Sequence, residues 1–287
     1  MTDPKTFTLE APGAVITYDI RQPETATEEP PLMLVGSPMD ASGFVSLAAR
    51  FPDRTVITYD PRGTGRSTKA DPVSESTPDQ HADDISRVIE AVGGQVDLFA
   101  SSGGAVNSLA LVAKHPDRVR TLIAHEPPAY QALPDRETAL AAAENIAATY
   151  KRDGFGPAMA KFIALVSIQG DIPADFGDQP VDPAMFGLPT EDDGTRDDPL
   201  VGQNIIACTH YEHDFDALRA VSTRVVLAVA VEGEGTSAYR GGVAVAERLG
   251  LEPVVFPSHH AGFLGGEYGQ QGDPDAFAAK LRAVLAD

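Results

Sequence analysis

The stretch 96-VDLFASSGGAVNSLALV-112 joins two patterns with almost no room to turn between them. Residues 96–100 read as a short buried strand of the kind that packs in a sheet covered on both faces, apolar apart from Asp97. From about residue 103 to 115 the chain reads as a helix. Two serines and two glycines make the junction. So abrupt a turn forces one residue into an unfavourable backbone region and leaves no space for bulky neighbours, which accounts for Ala100, Gly103 and Gly104. The pattern small-x-Ser-x-small centres on Ser102. Ser101 is out of register, because its flanks would be Phe99 and Gly103. A serine so placed is lifted out of the sheet at a helix N-terminus, where free N–H groups and the helix dipole favour an anion. Read alone, SSGG is also compatible with a plain loop and an N-cap serine. The strand–turn–helix setting favours a nucleophile at Ser102.

Working outward, strand and helix alternate. Runs at 5–10 (KTFTLE) and 14–20 (AVITYDI), joined by Pro12-Gly13, read as a hairpin. Apolar runs follow at 32–36 (LMLVG) and 55–59 (TVITY), with a helical stretch at 42–50 between them. In 79-DQHADDISRVIEAVGG-94, Ile85, Val88, Ile89 and Val92 share one helix face, and Gly93-Gly94 ends it. After the opening stretch comes the run 119-VRTLIAHE-126. This is an α/β pattern with a largely parallel sheet. The alternation then stops and resumes with the run 224–231, a helix at 237–249, the run 253–256 and a closing helix at 273–286. Residues 127–222 carry no convincing strand, only helical patterns near 136–152, 157–168 and 200–213 and an acidic Pro/Gly loop at 170–199. An insertion of about 95 residues is too long for a plain connection. The expected organisation is a core of residues 1–126 and 223–287 with a helical cap at 127–222. That cap would lie over the C-terminal strand ends, where open α/β sheets place their sites.

Composition narrows the class of function. The chain has 287 residues, 43% hydrophobic and 22% charged, an ordinary globular balance. A net charge of −20 argues against nucleic acid and anionic membranes as partners. The N-terminus has no basic segment followed by an apolar one, no run of 18 apolar residues occurs, and one cysteine, Cys208, cannot form an internal disulfide. A cytoplasmic location fits these features. A small-molecule substrate is the expected partner, and a homodimer stays open.

With these stretches in hand, the sequence resembles the α/β-hydrolase superfamily over nearly its whole length. Ala100–Gly104 is similar to its nucleophile elbow, with Ala100 where Gly is commoner. 34-LVGSPMD-40 resembles its His-Gly-x-Pro loop, with Val35 in place of His. 59-YDPRGTGRS-67 resembles its Asp-x-Arg-Gly-x-Gly-x-Ser loop, and 258-SHHAGFLGG-266 stands where its C-terminal histidine loop belongs. The resemblance implies a chain order of Ser, acid, His. It implies an oxyanion hole from the backbone N–H groups of Gly103 and Ser37, with Met39 a weaker choice. The Asp60–Ser67 loop is expected to be structural, with Arg62 and Arg66 paired to carboxylates. The pattern His-x-Gly-Phe favours His260 over His259 as the base.

The acid has two candidates. The usual family position follows the run 224–231, where Glu232 and Glu234 stand, neither in perfect register. The second, used by haloalkane dehalogenases, is the end of the strand after the nucleophile helix, where Glu126 stands. Glu126 closes an apolar strand before Pro-Pro, and buried carboxylates are rare unless paired or functional, so it is preferred over Glu232. The carboxylate left over is expected to contact the cap or the substrate. Of the other histidines, His81 and His115 read as helix-surface residues, and His125 precedes the candidate acid. His210 and His213 are a weak metal pair without further placed ligands. No cofactor is implied.

A Ser nucleophile argues against the dehalogenases and epoxide hydrolases of the superfamily, which use Asp, and the chain has no Trp. The expected chemistry is hydrolysis of a carboxylic ester, lactone or thioester through an acyl-enzyme. Acyl transfer or cyclisation, C–C hydrolysis, and a ligand-binding role on a hydrolase scaffold are the alternatives. Phe155, Met159, Phe162, Ile163, Met185 and Phe186 of the cap are candidates for an apolar pocket.

Overall fold

The computed structural model describes residues 3–287. Strands β1 (Lys5–Ala11) and β2 (Ala14–Arg21) form an antiparallel hairpin that turns at Pro12-Gly13, where Gly13 takes the positive φ of 72° that such a turn requires. The remaining strands are β3 (Leu32–Val35), β4 (Val56–Tyr59), β5 (Thr68–Lys69), β6 (Val96–Ser101), β7 (Val119–His125), β8 (Arg224–Ala230) and β9 (Val254–Phe256). They form a sheet in the order β1-β2-β4-β3-β6-β7-β8-β9, parallel from β4 onward, with β5 on the side of β2.

The helices are α1 (Val45–Ala48), α2 (Pro78–Ala91), α3 (Gly103–Lys114), α4 (Arg136–Asp153), α5 (Phe155–Val166), α6 (Ile205–Thr209), α7 (Phe215–Ala220), α8 (Ser237–Leu249) and α9 (Pro274–Ala286). Strand alternation sorts the core into two layers. Met33 and Val35 face α2 and α3, while Leu32 and Leu34 face α1 and α9. Every residue of β6 is buried, including Asp97, whose charge is met by Arg54 and Arg120. Local signals set the helix starts. Thr77 and Gln80 form a capping box ahead of Pro78, and Asp273 accepts the Ala276 N–H.

Among the described residues, β7 and β8 are joined by helices and loops alone, and part of this segment has its own apolar cluster, including Ile146, Tyr150, Leu165 and Val201. Its end differs from expectation. The helical pattern at 200–213 divides into a π-helical turn, Leu200–Asn204, and the short α6. Beyond it, Asp214 caps α7, and Leu218 packs into the main core, so α7 packs with the sheet layers rather than with the segment's own cluster. The stretch 42–50 likewise splits into a 3-10 turn, Ala41–Phe44, and α1. His81 is buried rather than on a helix surface.

The loop after β4 is held by ion pairs. Arg62 makes a bidentate contact with the fully buried Asp84, at 2.7 and 2.8 Å, and Arg66 bridges Asp60 and Asp19. Among the described residues, no helix is long and apolar enough to cross a membrane.

Candidate active site

Each predicted site residue stands at or beyond the C-terminal end of a parallel strand: Ser102 after β6, Glu126 after β7, Glu232 after β8 and His260 after β9. Ser102 sits at φ 57°, ψ −128°, directly before α3. The turn is locked from both sides. Ser102 N–H donates to the His125 carbonyl of β7 at 2.9 Å, and helix backbone follows at once. A Cβ on Gly104 would lie 2.6 Å from the Val35 carbonyl, and one on Gly103 would lie 2.6 Å from the Ser37 carbonyl. Both positions therefore need glycine, because the chain after β6 runs against the loop after β3. That approach brings the two oxyanion candidates, Gly103 and Ser37, to one place.

Glu126 directly follows β7 and is fully buried, with φ 47°. Its N–H donates to Ala228 at 2.9 Å. Its Oε1 accepts the Ala230 N–H at 2.9 Å, and its Oε2 accepts from His260 Nδ1 at 2.6 Å. Burial alone would push the Glu126 carboxyl up. The hydrogen bond and charge of His260 and the Ala230 N–H outweigh that, and the carboxyl lies below the ordinary range. An ionised carboxylate only accepts, so the His260 Nδ1 carries the proton of this bond. The His260 side chain is 44% exposed, and its ring lines the same cavity as Ser102.

Glu232 is exposed and lines the cavity wall; its backbone N–H donates to the Ser258 carbonyl at 3.0 Å, and its carboxylate has no partner among the described residues. His259 turns away from Glu126, with Nε2 3.0 Å from the Gln271 carbonyl and Nδ1 accepting the Ala261 N–H. Met39 packs against the cluster beneath α1 and α9 and is absent from the cavity lining.

Four non-glycine residues have positive φ among the described residues: Ser102, Glu126, Ser258 and Tyr268. Three of them are the elbow serine, the buried carboxylate and the residue that opens the histidine loop. Such conformations cost on the order of 1–3 kcal/mol each and cluster where function over-determines them.

A family model described as alpha/beta hydrolase fold matches residues 32–175. This chain belongs to that family. Across 264 residues the hydrolase is 30% identical to the uncharacterized hydrolase YraK of Bacillus subtilis (strain 168), with 89% of each chain covered. A thermophilic esterase from Thermogutta terrifontis superposes with a TM-score of 0.67 at 20% identity, over 99% of this chain and 98% of that one. The enol-lactonase from Burkholderia xenovorans LB400 does so at 0.66 and 18%, over 98% and 100%. At these identities both structures speak to the fold.

The cavity of this α/β hydrolase has a volume of about 450 Å³. Ser102, Gly103, Ser37, His260 and Glu232 line it together with side chains of the segment between β7 and β8. Of the six apolar residues expected from that segment, Phe162 lines it. Phe155 and Met159 pack in the segment's own cluster, and Met185 and Phe186 are exposed at 79% and 40%. Val166, Leu200 and Ile205 line the cavity without having been singled out. They carry no signal beyond their helical spacing.

Two further residues stand at the site, Asn204, which no sequence pattern marks, and His125, to which the sequence assigned no role. Asn204, buried in the π-helical turn, donates Nδ2 to Ser37 Oγ at 3.1 Å and accepts from the Cys208 thiol at 3.0 Å. His125 lies fully buried beneath the site, its ring stacked on that of His260 at 5.7 Å, with Nδ1 3.1 Å from Ser101 Oγ. Burial among Phe99, Phe256, Phe263 and Phe277 pushes the His125 imidazolium down to about 4, so it stays neutral beside His260.

His125, Glu126 and His260 offer ligand atoms within 4.8 Å of one another. Both Glu126 oxygens are already engaged, by His260 and Ala230, and a cation there would have to break the 2.6 Å bond. The cluster reads as a proton-bearing pair on a buried support. His210 contacts Glu144 and Thr209, and His213 is half-buried; neither belongs to that cluster.

Proposed function

We propose that this chain hydrolyses a carboxylic ester, lactone or thioester through an acyl-enzyme on Ser102. The observation that carries the reading is the 2.6 Å bond from His260 Nδ1 to the buried, ionised Glu126, in a cavity lined by the strained Ser102. With its Nδ1 proton fixed on Glu126, His260 presents Nε2 as a free base. Nε2 takes the Ser102 proton as Oγ attacks the acyl carbon, and Glu126 stabilises the imidazolium that results. The N–H groups of Gly103, at the start of α3, and of Ser37, in the loop after β3, donate to the developing oxyanion. His260 then returns the proton to the leaving group, and water, deprotonated by His260, attacks the acyl-enzyme.

The part of this segment, residues 127–222, ahead of α7 acts in this reading as the cap, since Phe162, Leu200, Asn204 and Ile205 line the cavity. Glu126, rather than Glu232, serves as the acid. The names hydrolase, esterase and enol-lactonase of the similar proteins support the class of reaction.

Active-site titration with a neutral fluorophosphonate tests it, read by intact mass. Wild type is expected to take up one equivalent and Ser102→Ala none. Absence of labelling in folded wild type overturns the proposal.

A further inference from the structure

The cavity that holds Ser102 has an unbalanced charge. Among the described residues no Lys or Arg lines it, and the one carboxylate in its lining is Glu232. The carboxylate of Glu232 has no hydrogen-bond or ion-pair partner among the described residues, so its charge is not cancelled within the fold.

Two cations on segments that border the cavity are engaged elsewhere. Arg240 pairs with Asp135 and Asp171 and donates to the Gly170 carbonyl. Lys69 Nζ is held by Gln203 Oε1 at 2.8 Å and Ser76 Oγ at 3.2 Å. Several neutral donors of the lining are spent as well. Thr209 and Thr236 donate their hydroxyls to the Ile205 and Gly233 carbonyls, and Asn204 donates to Ser37. The positive end of α3 serves the reacting carbonyl oxygen and offers nothing to a second anion. The rest of the wall is largely apolar, with Phe162, Val166, Leu200 and Ile205. A carboxylate or phosphate on the substrate would lose its water there, find no cation and face Glu232.

We infer that the site selects acyl substrates that carry no anionic group, and accepts an ammonium group on the part of the substrate that lies at Glu232. This selection rests on acyl hydrolysis at Ser102, and the test separates the two.

Three p-nitrophenyl esters of matched acyl length are compared: butyrate, hemisuccinate, and 4-(trimethylammonio)butyrate. Each kcat/KM is divided by the ester's own hydroxide-catalysed rate. The neutral and cationic esters should exceed the hemisuccinate by about 30-fold or more, from desolvation and like-charge repulsion together. Glu232→Gln should shrink the cationic-to-anionic ratio about fivefold or more, as removing a charge a few ångströms away at intermediate dielectric predicts. Glu232→Lys should shrink it further, and high salt should weaken the wild-type preference.

A hemisuccinate rate within threefold of the butyrate rate overturns the inference, and so does a ratio unchanged in both variants. An equal loss of several orders on all three esters in Glu232→Gln would assign Glu232 to His260 and also overturn it. Turnover that vanishes in Ser102→Ala but ignores charge removes this inference and leaves acyl hydrolysis standing. No turnover of any ester by folded wild type removes both.

Discussion

Replacing Glu126 by Gln keeps the shape of the buried side chain and changes its hydrogen-bonding capacity. In the native site both oxygens accept, one from Ala230 N–H and one from His260 Nδ1. A Gln amide has one oxygen and one NH₂. With the oxygen toward Ala230, the NH₂ meets His260 Nδ1 and drives the ring proton to Nε2, where it can no longer take the Ser102 proton. With the oxygen toward His260, two N–H donors oppose each other at Ala230 in a site with no exposure. Either way the imidazolium also loses its counter-charge. An acid-to-amide change that reverses the tautomer costs about 10⁴ in kcat, which is about 5 kcal/mol of transition-state stabilisation. The expected outcome is a fall of that size in kcat on p-nitrophenyl butyrate, with KM changed little, and an equally slowed fluorophosphonate reaction. Circular dichroism and thermal melting should show a folded protein. If Glu126→Gln keeps activity within tenfold of wild type while Glu232→Gln loses a thousandfold, the assignment of the acid is wrong.

Three other outcomes follow from the same structure. A Cβ on Gly233 would lie 2.9 Å from Glu126 Oε1, so Gly233→Ala should displace the carboxylate and lower kcat by roughly 10- to 100-fold in a folded protein, measured on the same ester. His81 and His125 are buried, His213 is half-buried with both ring nitrogens shielded, and desolvation pushes them down from 6.5 to about 3, 4 and 4. Because the unfolded chain binds these protons first, the stability they contribute is whole above pH 6.5 and is lost as pH falls toward 4. Urea unfolding at pH 7.5 and pH 5 should differ by on the order of 2 kcal/mol for each histidine, and a flat profile would contradict their burial as neutral rings. Asp97 is fully buried and bonded to Arg54 at 2.6 Å and to Arg120 at 2.6 and 2.7 Å. Asp97→Ala leaves the buried Arg54 unpaired and should cost roughly 3–5 kcal/mol, seen as a melting point lower by roughly 6–15 °C.

The elbow was legible because its geometry forbids most residues. Only small side chains fit beside Val35 and Ser37, and the sequence has them at 100, 103 and 104. The sheet was legible for a similar reason, since buried parallel strands leave continuous apolar runs. The choice between Glu126 and Glu232 was harder. Both end apolar strands, and what separates them is the direction of a side chain, set by a positive φ at Glu126 and by exposure at Glu232. Tertiary neighbours decide that direction, and periodicity does not encode them. His260 was separable from His259 by its Gly-Phe neighbours, yet the bond to Glu126 had to be seen in three dimensions. The two-residue β5 and the π-helical turn at 200–204 are too short to leave a pattern. The contact between Asn204 and Ser37 spans 167 positions and has no local trace at all.

That contact links parts of the chain with different tasks. Asn204 belongs to a segment that lines the cavity, and Ser37 to the loop that in the proposed mechanism holds the reacting oxygen. A bonded pair of this kind makes recognition and turnover share one strut. Changes in that segment that reshape the cavity for a new substrate will also tilt the loop after β3, so variants selected for altered specificity here should shift kcat as well as KM. Versions of that segment exchanged between relatives should function only when the residue facing Ser37 travels with them.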